Sequence, residues 1–345
     1  MKRLHYSICA IALLITASCN KQPSYPDPSG NSGNSGVYGR GGGGTGGGAG
    51  DYGGVNLGNL PDNLFVFTNG SSDANWQGAT KGFIGDVAVD GMQASERTSG
   101  SVPFAGTIYS TDTQASGWQG IVNSNPTQAS FQSNPTMVTG LGTDLNNAFT
   151  QINGLAVTPG YAGVSAQSLN NLNTQDGIDE TIVIDITSGF QVNTKINITG
   201  DAGDYYIFRW DTDENFSNGY NGQVKFQSGG AIVPHGELNA YNFIHVAGDI
   251  ASSGGGSNPP APYPQGPRSL NGSGPLINGG ADWNGGGFFT GYWLTTGAPT
   301  INNGTEQPYG QTSSLSNAIF VGGWYSTTTK FSMTSGTSGI HVLRN

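Results

Sequence analysis

Ala318-Ile319-Phe320-Val321-Gly322-Gly323-Trp324-Tyr325 runs straight into Ser326-Thr327-Thr328-Thr329, and a second strand-like run, Phe331-Ser332-Met333-Thr334, follows after a single lysine. The same grammar occurs upstream, where the apolar run Phe288 to Leu294 gives way to Thr295-Thr296. Short apolar runs bounded by hydroxyl residues and glycine read as β-strands. Strands that end in uncharged hydroxyls and turn on glycine suit a stacked β-coil, which displays broad, weakly charged faces. The expected fold is all-β, and the expected activity belongs to a surface that binds rather than to a pocket that reacts.

The pattern extends toward the N-terminus. Leu64-Phe65-Val66-Phe67 and Gly82-Phe83-Ile84-Gly85-Asp86-Val87-Ala88-Val89 are strand-like, as are the alternations Ile182/Ile184/Ile186, Val192/Thr194/Ile196/Ile198, Tyr206/Phe208/Trp210 and Val224/Phe226. Their uneven spacing excludes a repeat of fixed period. One segment differs. Thr143-Asp144 reads as the cap of a helix with apolar residues Leu145, Ala148, Phe149 and Ile152 at i, i+3, i+4 and i+7 and Gly154 as its stop. Its single apolar stripe predicts a helix lying along the side of the β structure.

Composition supports this reading. The chain has 58 glycines among 345 residues and only 10% charged residues, against about 7% Gly and roughly 25% charged in an ordinary globular protein. Solvent-facing helices are usually dressed in Lys and Glu, so a helix-rich fold is not expected. Hydrophobic residues at 35% still suffice for a real core.

Met1-Lys2-Arg3, an apolar run from Ile8 to Ile15, and Thr16-Ala17-Ser18-Cys19 have the layout of an export signal, too short to stay in a bilayer as a spanning helix. A cysteine directly after small residues resembles a bacterial lipobox, with cleavage before Cys19 and lipidation of its sulfur. The expected parts are a signal peptide at 1–18, a Gly/Ser/Pro-rich disordered tether at 19–58, and one binding domain at 59–345 with a Pro-rich insertion at about 252–287. Removing Lys2 and Arg3 leaves 12 − 2 = 10 basic residues against 22 acidic ones, a net charge of −12. Scattered basic residues on so acidic a chain do not suit nucleic acid. With Cys9 removed and Cys19 lipidated no disulfide is available. Asn20 after the cysteine, in place of the Asp tied to inner-membrane retention, favours the outer membrane or cell surface.

The order of blocks carries a family resemblance. Gly82-Phe83-Ile84-Gly85-Asp86-Val87-Ala88-Val89, the helix near Asp144, Tyr206-Ile207-Phe208, Ser228-Gly229-Gly230-Ala231, Asn242-Phe243-Ile244-His245-Val246-Ala247-Gly248 and Phe289-Thr290-Gly291-Tyr292-Trp293-Leu294 together resemble the microbial ice-binding proteins. That resemblance covers most of residues 60–343. It implies an irregular right-handed β-helix (a solenoid) with one long accessory α-helix. Asn63-Leu64-Phe65-Val66-Phe67 with Gly85-Asp86-Val87-Ala88-Val89 also resembles the opening of choice-of-anchor A surface adhesin domains. The Pro-rich insertion departs from the ice-binding pattern.

Three functions follow. The first is ice or ordered-water binding through a flat face rich in Thr and Ser, with Thr290, Tyr292, Thr295, Thr296, Thr327, Thr329, Ser332 and Thr334 as candidates. Each residue taken singly is also an ordinary strand former. The second is adhesion to a glycan or an extracellular protein, with Tyr263 and Trp283 of the insertion as contacts; Trp293 and Trp324, inside apolar runs, read as core. The third is a polysaccharide lyase or hydrolase on a β-helix, for which Asp211, Asp213 and Glu214, or Asp176, Asp179 and Glu180, would be the carboxylates. His235, His245 and His341 lack ligand spacing, so no zinc site or cofactor is expected. Asp211, Asp213 and Asn215 have the alternation of a Ca²⁺ loop, yet Phe216 and Gly222 break the EF-hand pattern. The sequence favours non-enzymatic binding.

Overall fold

The computed structural model describes residues 51–68, 73–76, 82–90, 97–98, 102–114, 118–210, 223–253, 287–295, 299–302, 305–308, 313–316, 318–326, 330–334 and 338–341. Cys19, the expected signal segment, Asp211, Asp213, Asn215, Tyr263 and Trp283 lie outside them, as does nearly all of the Pro-rich insertion.

The fold is all-β, built from parallel ladders and one long helix. A fifteen-stranded sheet and a seven-stranded sheet pair in parallel throughout, beside a separate two-stranded hairpin, Pro299–Asn302 with Thr305–Pro308. The larger sheet bends into two walls. Its long strands Phe104–Ser110, Phe288–Thr295 and Ile319–Ser326 each carry a glycine at the bend, Gly106 (φ 151), Gly291 (φ 91) and Gly322 (φ 137). A Cβ on Gly322 would sit 2.1 Å from the Gly291 carbonyl oxygen, and one on Gly106 2.3 Å from that of Gly85. Glycine at this corner lets each turn of chain rest on the one below.

On each turn the chain visits the same three surfaces in the same order. Thr181–Ser188 (first wall) leads to Gln191–Val192 (seven-stranded sheet) and Lys195–Gly200 (second wall), and Tyr205–Trp210 returns to the first wall. Stacking order is not chain order. Phe65–Phe67 pairs on one side with Val87–Val89 and on the other with the C-terminal strand Ile319–Ser326, Phe65 opposite Trp324. The N-terminal turns therefore sit on the C-terminal ones, and the chain must travel back along the stack to start the remaining turns.

A helix makes that journey. Helix α1 (Gln119–Ser124) closes one end, with Trp118 and Ile121 buried. Helix α2 (Pro135–Gly154) then links Ala129–Ser133 at that end to Val164–Ser165 at the other; its 20 residues give about 30 Å of length. It begins eight residues before Thr143, since Asn134 caps it by accepting from the Met137 amide at 3.2 Å and Pro135 opens its first turn. Thr143 and Asp144 are interior: the Thr143 hydroxyl donates to the Thr139 carbonyl at 3.3 Å and an Asp144 oxygen accepts from the Asn59 amide at 2.9 Å. Val138, Leu141, Leu145, Ala148 and Ile152 form the buried stripe, packed on Val66, Ala88, Val183, Ile207, Ile244 and Tyr325 of the first wall. Arg209 fastens the far end. Its Nε donates to Asp185 at 2.5 Å, and Nη1 donates to the Leu155 carbonyl at 2.8 Å and, beside the Leu155 amide, to the Ile152 carbonyl at 3.2 Å, at the end where helical carbonyls run short of amide donors.

The packed region starts earlier than residue 59. Tyr52, Val55 and Leu57, in an N-terminal strap, are buried with the helix and the first wall. Inside the coil, register stacks large rings: Phe208 lies opposite His245, His245 opposite Trp293, and Trp293 opposite Trp324. The His245 ring stacks 4.5 Å from Phe208 and 4.0 Å from Trp293. Among the described residues no helix is long and apolar enough to cross a membrane.

Candidate functional site

The three surfaces differ in what lies on their outer sides. Helix α2 and the strap cover the first wall. On the second wall, Ala231, Val233, Phe288, Ile319 and Val321 form a buried apolar cluster with Ala240 of the turn Ala240–Asn242. No described helix makes an extended contact with the seven-stranded sheet.

Register in that sheet aligns positions that are far apart in sequence. Gln191 lies opposite Lys225, Lys225 opposite Ala251, Ala251 opposite Ser314, Ser314 opposite Ser332, Ser332 opposite Asn75, and Asn75 opposite Arg97. Two residues along, Gln227 lies opposite Ser253 and Ser316 opposite Thr334. The intervening residues Val192, Phe226, Ile250 and Met333 are fully buried in the core. Successive residues of a strand belong to opposite sides, and the two columns alternate with these buried positions. Their middle is a block of small uncharged residues: Ala251, Ser253, Ser314, Ser316, Ser332 and Thr334. Parallel pairing sets its rows about 4.8 Å apart and its positions along a strand about 6.7 Å apart. Charge borders the block, with Lys225 and Arg97 toward the ends and Asp249, Lys330 and Asp73 in the next column.

Ser332 and Thr334, expected from sequence, thus join this block. Thr290, Tyr292 and Thr295 do not, because all three are buried. The Thr290 hydroxyl donates to the Ile232 carbonyl at 2.7 Å. Tyr292 lies under the helix, edge-on to Tyr52 at 5.3 Å. Thr295 is inside the coil, donating to the Ser326 hydroxyl at 2.7 Å and accepting from the Trp324 indole at 3.1 Å. The hydroxyls that close the long strands are core hydrogen-bond partners, as buried polar groups must be. Thr296, Thr327 and Thr329 lie outside the described residues. Ala251, Ser253, Ser314 and Ser316 were not singled out in the sequence.

The titratable groups have structural explanations. Trp210 donates its indole N–H to His245 Nδ1 at 3.3 Å, and burial holds the His245 pKa well below the usual imidazole value. Burial likewise lowers His341, whose Nε2 lies at the Pro61 carbonyl. His235 Nε2 pairs with Asn197 Oδ1 at 2.9 Å. Burial raises Asp62, and raises Asp86 although Asp86 accepts from the Thr107 amide. Tyr206, buried beside Thr174, is pushed up to about 12. The acidic turns tie loops together: Asp176 accepts from the Ile178 amide at 2.9 Å, and Asp204 from the Glu180 amide at 3.0 Å and the Thr174 hydroxyl at 2.6 Å. Among the described residues no group of three or more His, Cys, Asp or Glu side chains is placed to hold a metal ion.

Among solved structures, a glycosylated ice-binding protein from an Arctic yeast aligns over 85% of this chain and 96% of its own, with 14% identity and a TM-score of 0.47. The chain resembles solved ice-binding proteins. The ice-binding protein of the Antarctic ascomycete Antarctomyces psychrotrophicus aligns over 85% of this chain and 99% of its own, at 13% identity and a TM-score of 0.44. A domain of an ice-binding protein from Shewanella frigidimarina aligns over 84% and 98%, at 14% identity and a TM-score of 0.45. No family model and no curated protein matches the sequence.

Proposed function

We propose that the outer side of the seven-stranded sheet is a flat, non-enzymatic binding face whose ligand is ice or the ordered water on it. The observation that carries this is the register block of Ala251, Ser253, Ser314, Ser316, Ser332 and Thr334, small and uncharged on three adjacent parallel strands. A crystalline water surface offers a repeating array of donors and acceptors. Matching it takes repeated weak contacts on a rigid template, each hydroxyl contributing roughly 0.5–1.5 kcal/mol net. Long charged side chains would instead hold their own disordered hydration and stand between the two surfaces, and the block has none. The coil is read as a right-handed β-helix, the hand that parallel crossovers take in about 98% of cases. Cys19 is read as the lipid attachment point of an exported lipoprotein at the outer membrane or cell surface, with Gly-rich chain between anchor and domain, which fits an antifreeze or ice-adhesion role.

Ice growth in the presence of the purified protein tests the reading, with Ser314→Lys and Ser332→Lys as the variants. Both should abolish growth arrest without lowering the melting temperature. A protein that leaves ice growth unchanged would return the face to an adhesin reading, with a glycan or a protein as ligand.

A further inference from the structure

We propose a second binding site, for the hydroxyls of a neutral sugar, in the groove between helix α2 and the N-terminal strap. The groove is a shallow depression of ≈ 210 Å³ lined by Asn56, Gly58, Asp144, Asn147, Thr150 and Gln151. It lies on the helix side of the molecule and is independent of the seven-stranded face.

Its walls are fixed by hydrogen bonds across the seam and by one within the strap. Gln151 Oε1 accepts from the Asn56 amide at 2.9 Å, Asp144 Oδ2 accepts from the Asn59 amide at 2.9 Å, and Asn56 Oδ1 accepts from the Gly58 amide at 2.8 Å. Gly58 adopts φ +57, and a Cβ there would sit 2.3 Å from Asp144 Cγ, so only glycine leaves room for the carboxylate. Among the described residues no hydrogen bond engages Asp144 Oδ1, Asn56 Nδ2 or the side-chain amide of Asn147, all on exposed or half-buried residues where a ligand hydroxyl would replace water. The Thr150 hydroxyl donates to the Asn146 carbonyl at 3.0 Å and keeps its lone pairs for an outside donor.

The ligand class follows from this lining. No Lys, Arg or His borders the groove, so phosphate, sulfate and carboxylate groups find no counter-charge. No aromatic or long aliphatic side chain borders it either, so lipid tails and planar rings find no extended apolar surface, only the carbon stems of polar residues. What remains is a mixture of amide donors, amide and carboxylate acceptors and one hydroxyl, the complement of vicinal hydroxyls that each donate once and accept. The volume is below the roughly 300–1,000 Å³ of ordinary ligand sites, so it suits a single sugar ring held weakly, in the millimolar range.

Saturation-transfer NMR on the purified full chain tests this with glucose, galactose, mannose and N-acetylglucosamine, and with glucuronate as a charged counterpart. At least one neutral sugar should bind. Asn147→Ala and Thr150→Val, both at exposed positions, should each weaken it roughly fivefold, the loss of one ordinary hydrogen bond, with unchanged thermal unfolding. Binding of glucuronate should be weaker than that of glucose. The proposal is overturned if no neutral sugar binds through the millimolar range, if both variants bind as tightly as the natural chain, or if glucuronate binds as well as glucose. None of these outcomes bears on ice growth, so the two sites are tested separately.

Discussion

Gly322→Ala should unsettle the whole stack from one methyl group. Gly322 has φ 137, and the added Cβ would meet the Gly291 carbonyl oxygen at 2.1 Å and its carbon at 2.7 Å. These are backbone atoms of the adjacent turn, so relief requires the two strands to part. Strain at positive φ costs about 1–3 kcal/mol, and overpacking with a backbone shift adds about 1–3 kcal/mol. The sum is about 2–6 kcal/mol, a large share of the roughly 5–15 kcal/mol by which domains are stable. At about 2 °C per kcal/mol for a domain of this size, far-UV circular dichroism should show melting about 4–12 °C lower. Two controls separate the causes. Gly54 has φ 84, and a methyl group there would meet nothing within 4 Å, so Gly54→Ala reports backbone strain alone, about 1–3 kcal/mol. Gly140 lies within α2 with nothing within 4 Å, so Gly140→Ala should raise stability by about 0.8–1 kcal/mol. A Gly322→Ala protein that melts with the natural one, or no lower than Gly54→Ala, would refute the close stacking at this corner.

Further outcomes follow from the same contacts. Arg209→Ala removes the Asp185 ion pair and two carbonyl contacts at the end of α2; the loss should be about 1–2 kcal/mol in denaturant unfolding, limited by partial solvent exposure. A chain beginning at residue 59 should be less stable than one beginning at residue 51, because buried Tyr52, Val55 and Leu57 are lost, at about 1.5–3 kcal/mol for each large apolar side chain before the entropy of ordering the strap is subtracted. His245 and His341 have folded pKa values below that of the unfolded chain, so stability should fall as pH drops below about 6.5, where only the unfolded state takes up the protons. Asp62 and Asp86, with raised pKa values, act in the opposite sense at lower pH. His245→Phe should flatten the dependence between pH 7 and pH 5, and an unchanged slope would exclude His245 as its source.

Much of this architecture was legible because strands advertise themselves locally. Ile182, Ile184 and Ile186 alternate in sequence and line the core together. Corners were harder. Gly82 to Val89 reads as one run, yet Gly85 turns the chain at φ 136 and splits it into Gly82–Ile84 and Val87–Val89. The start of α2 was missed because Gly140 and Gly142 weaken its helical character, although Asn134-Pro135 is a start signal and Val138 and Leu141 continue the stripe. Burial on tertiary packing outweighed propensity there. The register block behind the proposed face was out of reach, since Ala251, Ser314 and Ser332 come together only through pairings between distant strands. Thr290 and Thr295 misled for the converse reason: hydroxyls on strands suit a solvated face and a hydrogen-bonded core equally well.

Thermal hysteresis and ice-recrystallisation inhibition, measured on the chain from residue 51 and on its Ser332→Lys variant, test the central claim most directly. The account predicts shaped or arrested ice crystals at micromolar natural protein and free growth with the variant, at equal melting temperature. Free growth with the natural protein, or arrest that Ser332→Lys leaves intact, would contradict it.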